Sequence, residues 1–188
     1  MPHKLRNALV GWGTAIMLCT GFEQANPVQA FDSGHAVNDV FISVVPQASI
    51  VGRGTLSYAF WNIYDATLYA PDGRLDRTQP FALSLHYHRA LNGHDIADRT
   101  VKEIRKQGFD DEIRLAAWNA QLKTIFPDVV RGTTLSAIHH PGQGTVFYKD
   151  DTVIGTVRGD DFATAFFDIW LGDGTSHPAL RRALLGLS

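Results

Sequence analysis

The chain has 188 residues, with 17 Lys and Arg against 19 Asp and Glu, a formal net charge of −2 and 45% hydrophobic residues. That near-balance excludes the strongly basic surface of a nucleic-acid binder or of a protein drawn to anionic lipid, and the length suits one domain with one core. A single cysteine, Cys19, excludes an intrachain disulfide and a site built from several thiolates.

The first thirty residues predict an export signal. Lys4 and Arg6 give a basic start, Ala8 to Leu18 an apolar stretch, and Val28-Gln29-Ala30 a small-residue cleavage pattern. Cleavage near Ala30 would leave residues 31–188 as the exported domain, with the periplasm as its expected destination and no thiol remaining. The apolar stretch is shorter than the roughly 20 residues of a membrane-spanning helix, and no later segment is long enough without charges. No transmembrane segment is therefore expected in the mature chain. Residues 31–48 carry no assignable element.

From Ser49 to Ala70 apolar residues mostly alternate, which predicts two strands with a break near Ala59 to Asn62 and an end at the turn Pro71-Asp72-Gly73. Phe81 to His88 alternates with period two, placing Phe81, Leu83, Leu85 and Tyr87 on one face of a third strand. A helix follows, capped by Asp95, with Ile96, Thr100, Val101 and Ile104 at helical spacing up to Gly108. A second helix begins near Asp110-Asp111 and stops before Pro127. Thr133 to His140, Thr145 to Lys149 and Thr152 to Arg158 predict a meander joined by turns. Asp160 or Asp161 opens an apolar helix stopped at Gly172, where a glycine would take the left-handed conformation, and Pro178 opens the last helix. Strands, helices, strands and helices in that order give the α+β class: an antiparallel sheet with helices packed mainly on one face.

Gly52-Arg53-Gly54, Leu68-Tyr69 and the terminal block from Phe166 through Gly172 to Pro178 and Leu185 together make the chain similar to the bacterial chalcone isomerase-like family. That family is related to plant chalcone isomerase and to plant fatty-acid-binding proteins of the same fold. The resemblance spans about Ser49 to Leu185. It implies an open-faced sandwich with a ligand cleft between the sheet and its helices.

The resemblance also nominates residues. Arg53 occupies the family's position for a key arginine, which in the fatty-acid binders holds the carboxylate; a guanidinium suits that task because its fork of donors matches two oxygens. On residue type alone, Arg53 reads equally as the partner of a surface acid. Tyr64 falls where the isomerase has a catalytic threonine and the fatty-acid binders a tyrosine, and without the resemblance it reads as a core tyrosine with a satisfied hydroxyl. The isomerase's catalytic helix maps a tyrosine, a lysine and an asparagine onto Ile96, Arg99 and Glu103, so only the positive charge at Arg99 is kept. Tyr148 matches a retained active-site tyrosine, and Ile169 replaces a threonine that recognises substrate.

Cyclising a chalcone needs a stabilised phenolate held against an alkene, which these substitutions remove. The expected function is therefore that of an exported binding protein for a small amphipathic anion such as a fatty acid, with Arg53, Tyr64, Arg99 and Tyr148 as the ligand-binding residues. The alternative is an isomerase or intramolecular lyase acting on a chalcone-like or other enone substrate, its catalytic residues unassigned. His86 and His88 share one strand face and His139-His140 lie on another strand, but neighbours on a strand point to opposite faces, so no metal site is expected. Neither a cofactor nor a nucleic-acid partner is expected.

Overall fold

The computed structural model describes residues 44–187, so the export signal and the stretch 31–43 lie outside the described residues. Six strands form one antiparallel sheet in sequence order: β1 (Ala48–Tyr58), β2 (Trp61–Pro71), β3 (Phe81–Tyr87), β4 (Thr134–His140), β5 (Gly144–Lys149) and β6 (Thr152–Arg158). The helices α1 (Gly93–Lys106) and α2 (Glu112–Ile125) are inserted between β3 and β4, and α3 (Asp160–Leu171) and α4 (Pro178–Leu184) follow β6. The architecture is the α+β antiparallel sheet with helices on one face that the order of elements predicts, and the open-faced sandwich that the resemblance implies.

Alternation sorts the strand residues between two faces. Toward the helices lies the larger core, with Tyr64, Ala66 and Leu68 of β2, Phe81, Leu83, Leu85 and Tyr87 of β3, and the aromatic stripe Phe162, Phe166 and Trp170 of α3. The opposite, open face carries a smaller cluster of Val45, Tyr69, Ala82, Ile138 and Tyr148. Val44 and Val45, just before β1, pack on this side.

Glycines set how closely the helices approach. At Gly52 a Cβ would collide with the backbone oxygens of Ala183 and Leu184 in α4, and at Gly54 it would meet the Leu180 side chain. At the other edge, Gly155 leaves room for Ile125 of α2. A helix backbone rests directly on a strand only where no side chain intervenes.

Two helix boundaries differ in cause from the sequence expectation. Asn92, not Asp95, caps α1: its side chain accepts the His94 N–H at 2.9 Å, which starts the helix two residues earlier than Asp95. Gly172 ends α3 with φ −76°, an extended conformation open to any residue. Glycine is required there by space, because a Cβ would lie 2.8 Å from the Asp168 carbonyl and 2.9 Å from Gln107. Asp111 does cap α2, accepting the Arg114 N–H at 3.0 Å, and Pro178 stands in the first turn of α4.

Candidate functional site

Between the sheet and the helices lies a cavity of about 400 Å³. Its floor is the helix-side face of the sheet, with Leu83 and Leu85 of β3, Ala137 of β4 and Phe147 of β5. Its roof is Ile96 of α1 with Phe166, Ile169 and Trp170 of α3. The volume falls within the roughly 300–1,000 Å³ of small-molecule sites, and an apolar lining with a few polar groups is their usual character.

Helical periodicity brings the polar groups to this cleft. Ile96, Arg99 and Glu103 succeed one another at three and four residues, and all three line the cavity. Glu103 is buried, 5% exposed. Burial alone would push its carboxyl up, but the Ser176 hydroxyl at 2.6 Å, Lys106 at 3.0 Å and Arg99 at 2.7 Å outweigh that and hold it below the usual carboxylate range. The acid is thus an internal counter-ion that anchors Arg99. A guanidinium has five N–H donors, so the Nη2 ion pair with Glu103 leaves capacity for a bidentate partner.

Tyr64 completes the polar end. Its phenol is buried, and burial pushes its pKa up to about 12 against smaller opposing effects of Trp170 and Arg99. It is therefore a neutral hydrogen-bond donor at any physiological pH. The Trp170 indole N–H donates to Tyr64 Oη at 3.0 Å, which occupies a lone pair and leaves the phenolic hydrogen to be donated elsewhere. The Tyr64 ring also meets Tyr87 edge to face, at 5.6 Å between centroids. His177, at the entry to α4, lines the same cavity. Burial, with Arg99 and Lys106 adding to it against the pull of Glu103, holds its imidazole below the ordinary value.

The structure therefore brings together two of the four nominated residues, Tyr64 and Arg99. Arg53 and Tyr148 lie on the other side of the sheet. Arg53 sits between Gly52 and Gly54, which both face α4, so strand alternation turns its side chain to the open face. There it bonds the Tyr69 hydroxyl. Tyr148 belongs to the open-face cluster, one residue beyond the inward Phe147. One cross-strand row runs Arg53, Thr67, Ser84, Ser136, Tyr148. At about 4.8 Å per strand, its ends are roughly 19 Å apart. The two cannot join Arg99 around one small ligand, and they are too distant from each other to form a second site.

The histidines separate as alternation demands. His86 and His88 lie on the open face, where His88 pairs with Asp65 at 2.8 Å and His86 with Thr134 at 3.1 Å. His139 turns inward against Phe81 and Phe167. Among the described residues no group of three His, Cys, Asp or Glu is placed to hold a metal ion. Sequence reasoning did not single out Trp170 or His177 as cleft residues. The only signal for Trp170 was its place in an apolar helix, and for His177 its position just before Pro178.

The described residues form an antiparallel sheet with helices on one side and a cleft between the two layers. The chain belongs to the chalcone isomerase-like family, whose profile matches residues 46–186. An uncharacterized protein of Haemophilus influenzae is 27% identical over 149 residues, a match covering 78% of this chain and 73% of that protein. The crystal structure of an Arabidopsis thaliana fatty-acid binding protein superposes with a TM-score of 0.58 at 13% identity, covering 74% of this chain and 87% of that one. At that identity the likeness is one of fold.

Proposed function

We propose that the protein binds a small amphipathic anion of the fatty-acid class, its chain in the cleft and its carboxylate against Arg99 and Tyr64. The observation that carries this reading is one apolar cavity with a guanidinium and a neutral phenol donor at its polar end. Arg99 is 57% exposed and marks where the cleft opens, so the charged head stays near water while the chain is buried. The name of the Arabidopsis neighbour, a fatty-acid binding protein, adds support from the fold. Ile96 and Ile169 favour binding over chemistry, since both line the cavity and neither can hold or move a proton. The basic start, apolar stretch and Ala30 cleavage pattern support action outside the cytoplasm, in the periplasm.

The test is a titration of dodecanoate into wild type, Arg99→Met and Arg53→Met, read by displacement of a fluorescent fatty acid. Losing one charge-assisted contact weakens binding by about tenfold or more. The expected result is that loss in Arg99→Met and wild-type affinity in Arg53→Met. No binding by wild type, or a loss confined to Arg53→Met, overturns the reading.

A further inference from the structure

The hairpin joining β1 to β2 ends in Tyr58-Ala59-Phe60-Trp61, a two-residue turn closed by the pair Tyr58 and Trp61. Ala59 sits at φ 53°, a conformation a residue with a Cβ adopts at some cost. Three aromatic rings project here: Tyr58 is 78% exposed, Phe60 99% and Trp61 62%. None of the three joins either apolar cluster of the sheet. Holding three such rings in water is unfavourable.

The surroundings point to a partner. Tyr58, with Leu56 and Ser57, also lines the cleft, so the aromatic tip and the cavity mouth are continuous. From the loop after β3, the Arg89 guanidinium lies over the Trp61 ring at 5.2 Å. An apolar apex flanked by Tyr, Trp and a cation is the combination that suits the headgroup level of a bilayer, where rings meet acyl chains and polar ends stay wet. A two-residue turn is also far too small for a stable protein interface, which buries about 800 Å² on each side. A few inserted rings are enough for reversible contact with a membrane.

We infer that the Tyr58–Trp61 tip inserts into the surface of a lipid bilayer and sets the cleft mouth against it, so that an acyl chain passes between membrane and cavity without crossing water. The inference rests on the fatty-acid reading of the cleft. Charge contributes little: the cleft lining carries Asp95 and Glu103 against Arg99, and the whole chain carries −2. Insertion of apolar surface is therefore the driving force, and anionic lipid is not required.

The test is flotation of the full chain with phosphatidylcholine vesicles, comparing wild type with the double variant Phe60→Ser, Trp61→Ser. Neither residue lines the cavity. The expected result is that wild type floats with vesicles at low and high salt alike, and that the double variant partitions about tenfold less or weaker still. Dodecanoate affinity in solution, measured alongside, stays the same in both. If wild type does not float, or the double variant floats equally well, the inference is overturned. Tip-dependent self-association in sedimentation velocity, without vesicle binding, overturns it in favour of a protein contact. Absence of dodecanoate binding in both proteins defeats the cleft reading, while the flotation result still stands on its own.

Discussion

The two faces of the sheet are built from the same strands and similar residue types, yet among the described residues it is the helix-side face that lines the cavity of about 400 Å³. On the helix side, Tyr64 and Arg99 converge on an apolar cleft whose buried acid, Glu103, is neutralised by its neighbours. On the open side, Arg53 bonds Tyr69, Asp65 joins Thr55 and His88, and Ser136 donates to Ser84 at 3.2 Å. There polar groups satisfy one another across neighbouring strands, a local arrangement. What distinguishes the cleft is a second layer, held on the sheet by glycine contacts at the edges and by bulky rings in the middle.

The sharpest way to break this contrast is to remove a ring that joins the layers. Phe162 is 1% exposed and touches Trp118, Phe147 and Phe166. Phe162→Ala should cost about 3–5 kcal/mol in urea denaturation, and Tyr148→Ala on the open face less. Equal losses would mean that both faces share the stabilising burden.

Next in size is the close approach of α4 to β1. Gly52→Ala sets a methyl against helix backbone and should cost about 1–3 kcal/mol. Gly54→Ala meets the flexible end of the Leu180 side chain and should cost less, a difference that paired melting curves of the two variants would measure. The reverse order would show that α4 is not seated on Gly52.

Two groups of side chains also separate by pH. Burial holds the His139 imidazole below its ordinary 6.5, against the pull of Asp160 and a bond to the Arg77 backbone, and burial acts likewise on His140 and His177. Such histidines take up protons more readily unfolded than folded, so stability falls as pH drops through about 6.5. Asp65 differs: burial raises its carboxyl, but Thr55 and His88 outweigh this and hold it below 3.8, so its contribution is present above that value and lost beneath it. Melting temperature should therefore decline in two stages on acidification. His139→Phe should flatten the first, and an unchanged decline would remove His139 from the account.

Much of the fold was legible because alternation and punctuation report local physics. The strand set, the meander after α2 and the cap at Asp111 follow from residue pattern alone. Side-chain direction was harder to read. In β1 it is governed by register shifts between Ile50 and Gly52 and between Leu56 and Ser57, which no periodicity announces. In the sequence Gly52 and Gly54 read as presenting Arg53, but their bare Cα atoms admit α4, and Arg53 is turned away as a consequence. Arg99 was nominated by the family resemblance, and the regular spacing of its helix brings it to the cleft with Ile96 and Glu103. Trp170 was not, because its bond to Tyr64 joins residues 106 positions apart.

The most direct test of the central claim is a crystal structure with a terminally brominated fatty acid, in which anomalous scattering locates the chain end. The bromine is expected between Leu83, Phe147 and Phe166, with the carboxylate within hydrogen-bonding distance of Arg99 and Tyr64 Oη. A bromine signal on the open face, with the carboxylate at Arg53, would contradict it.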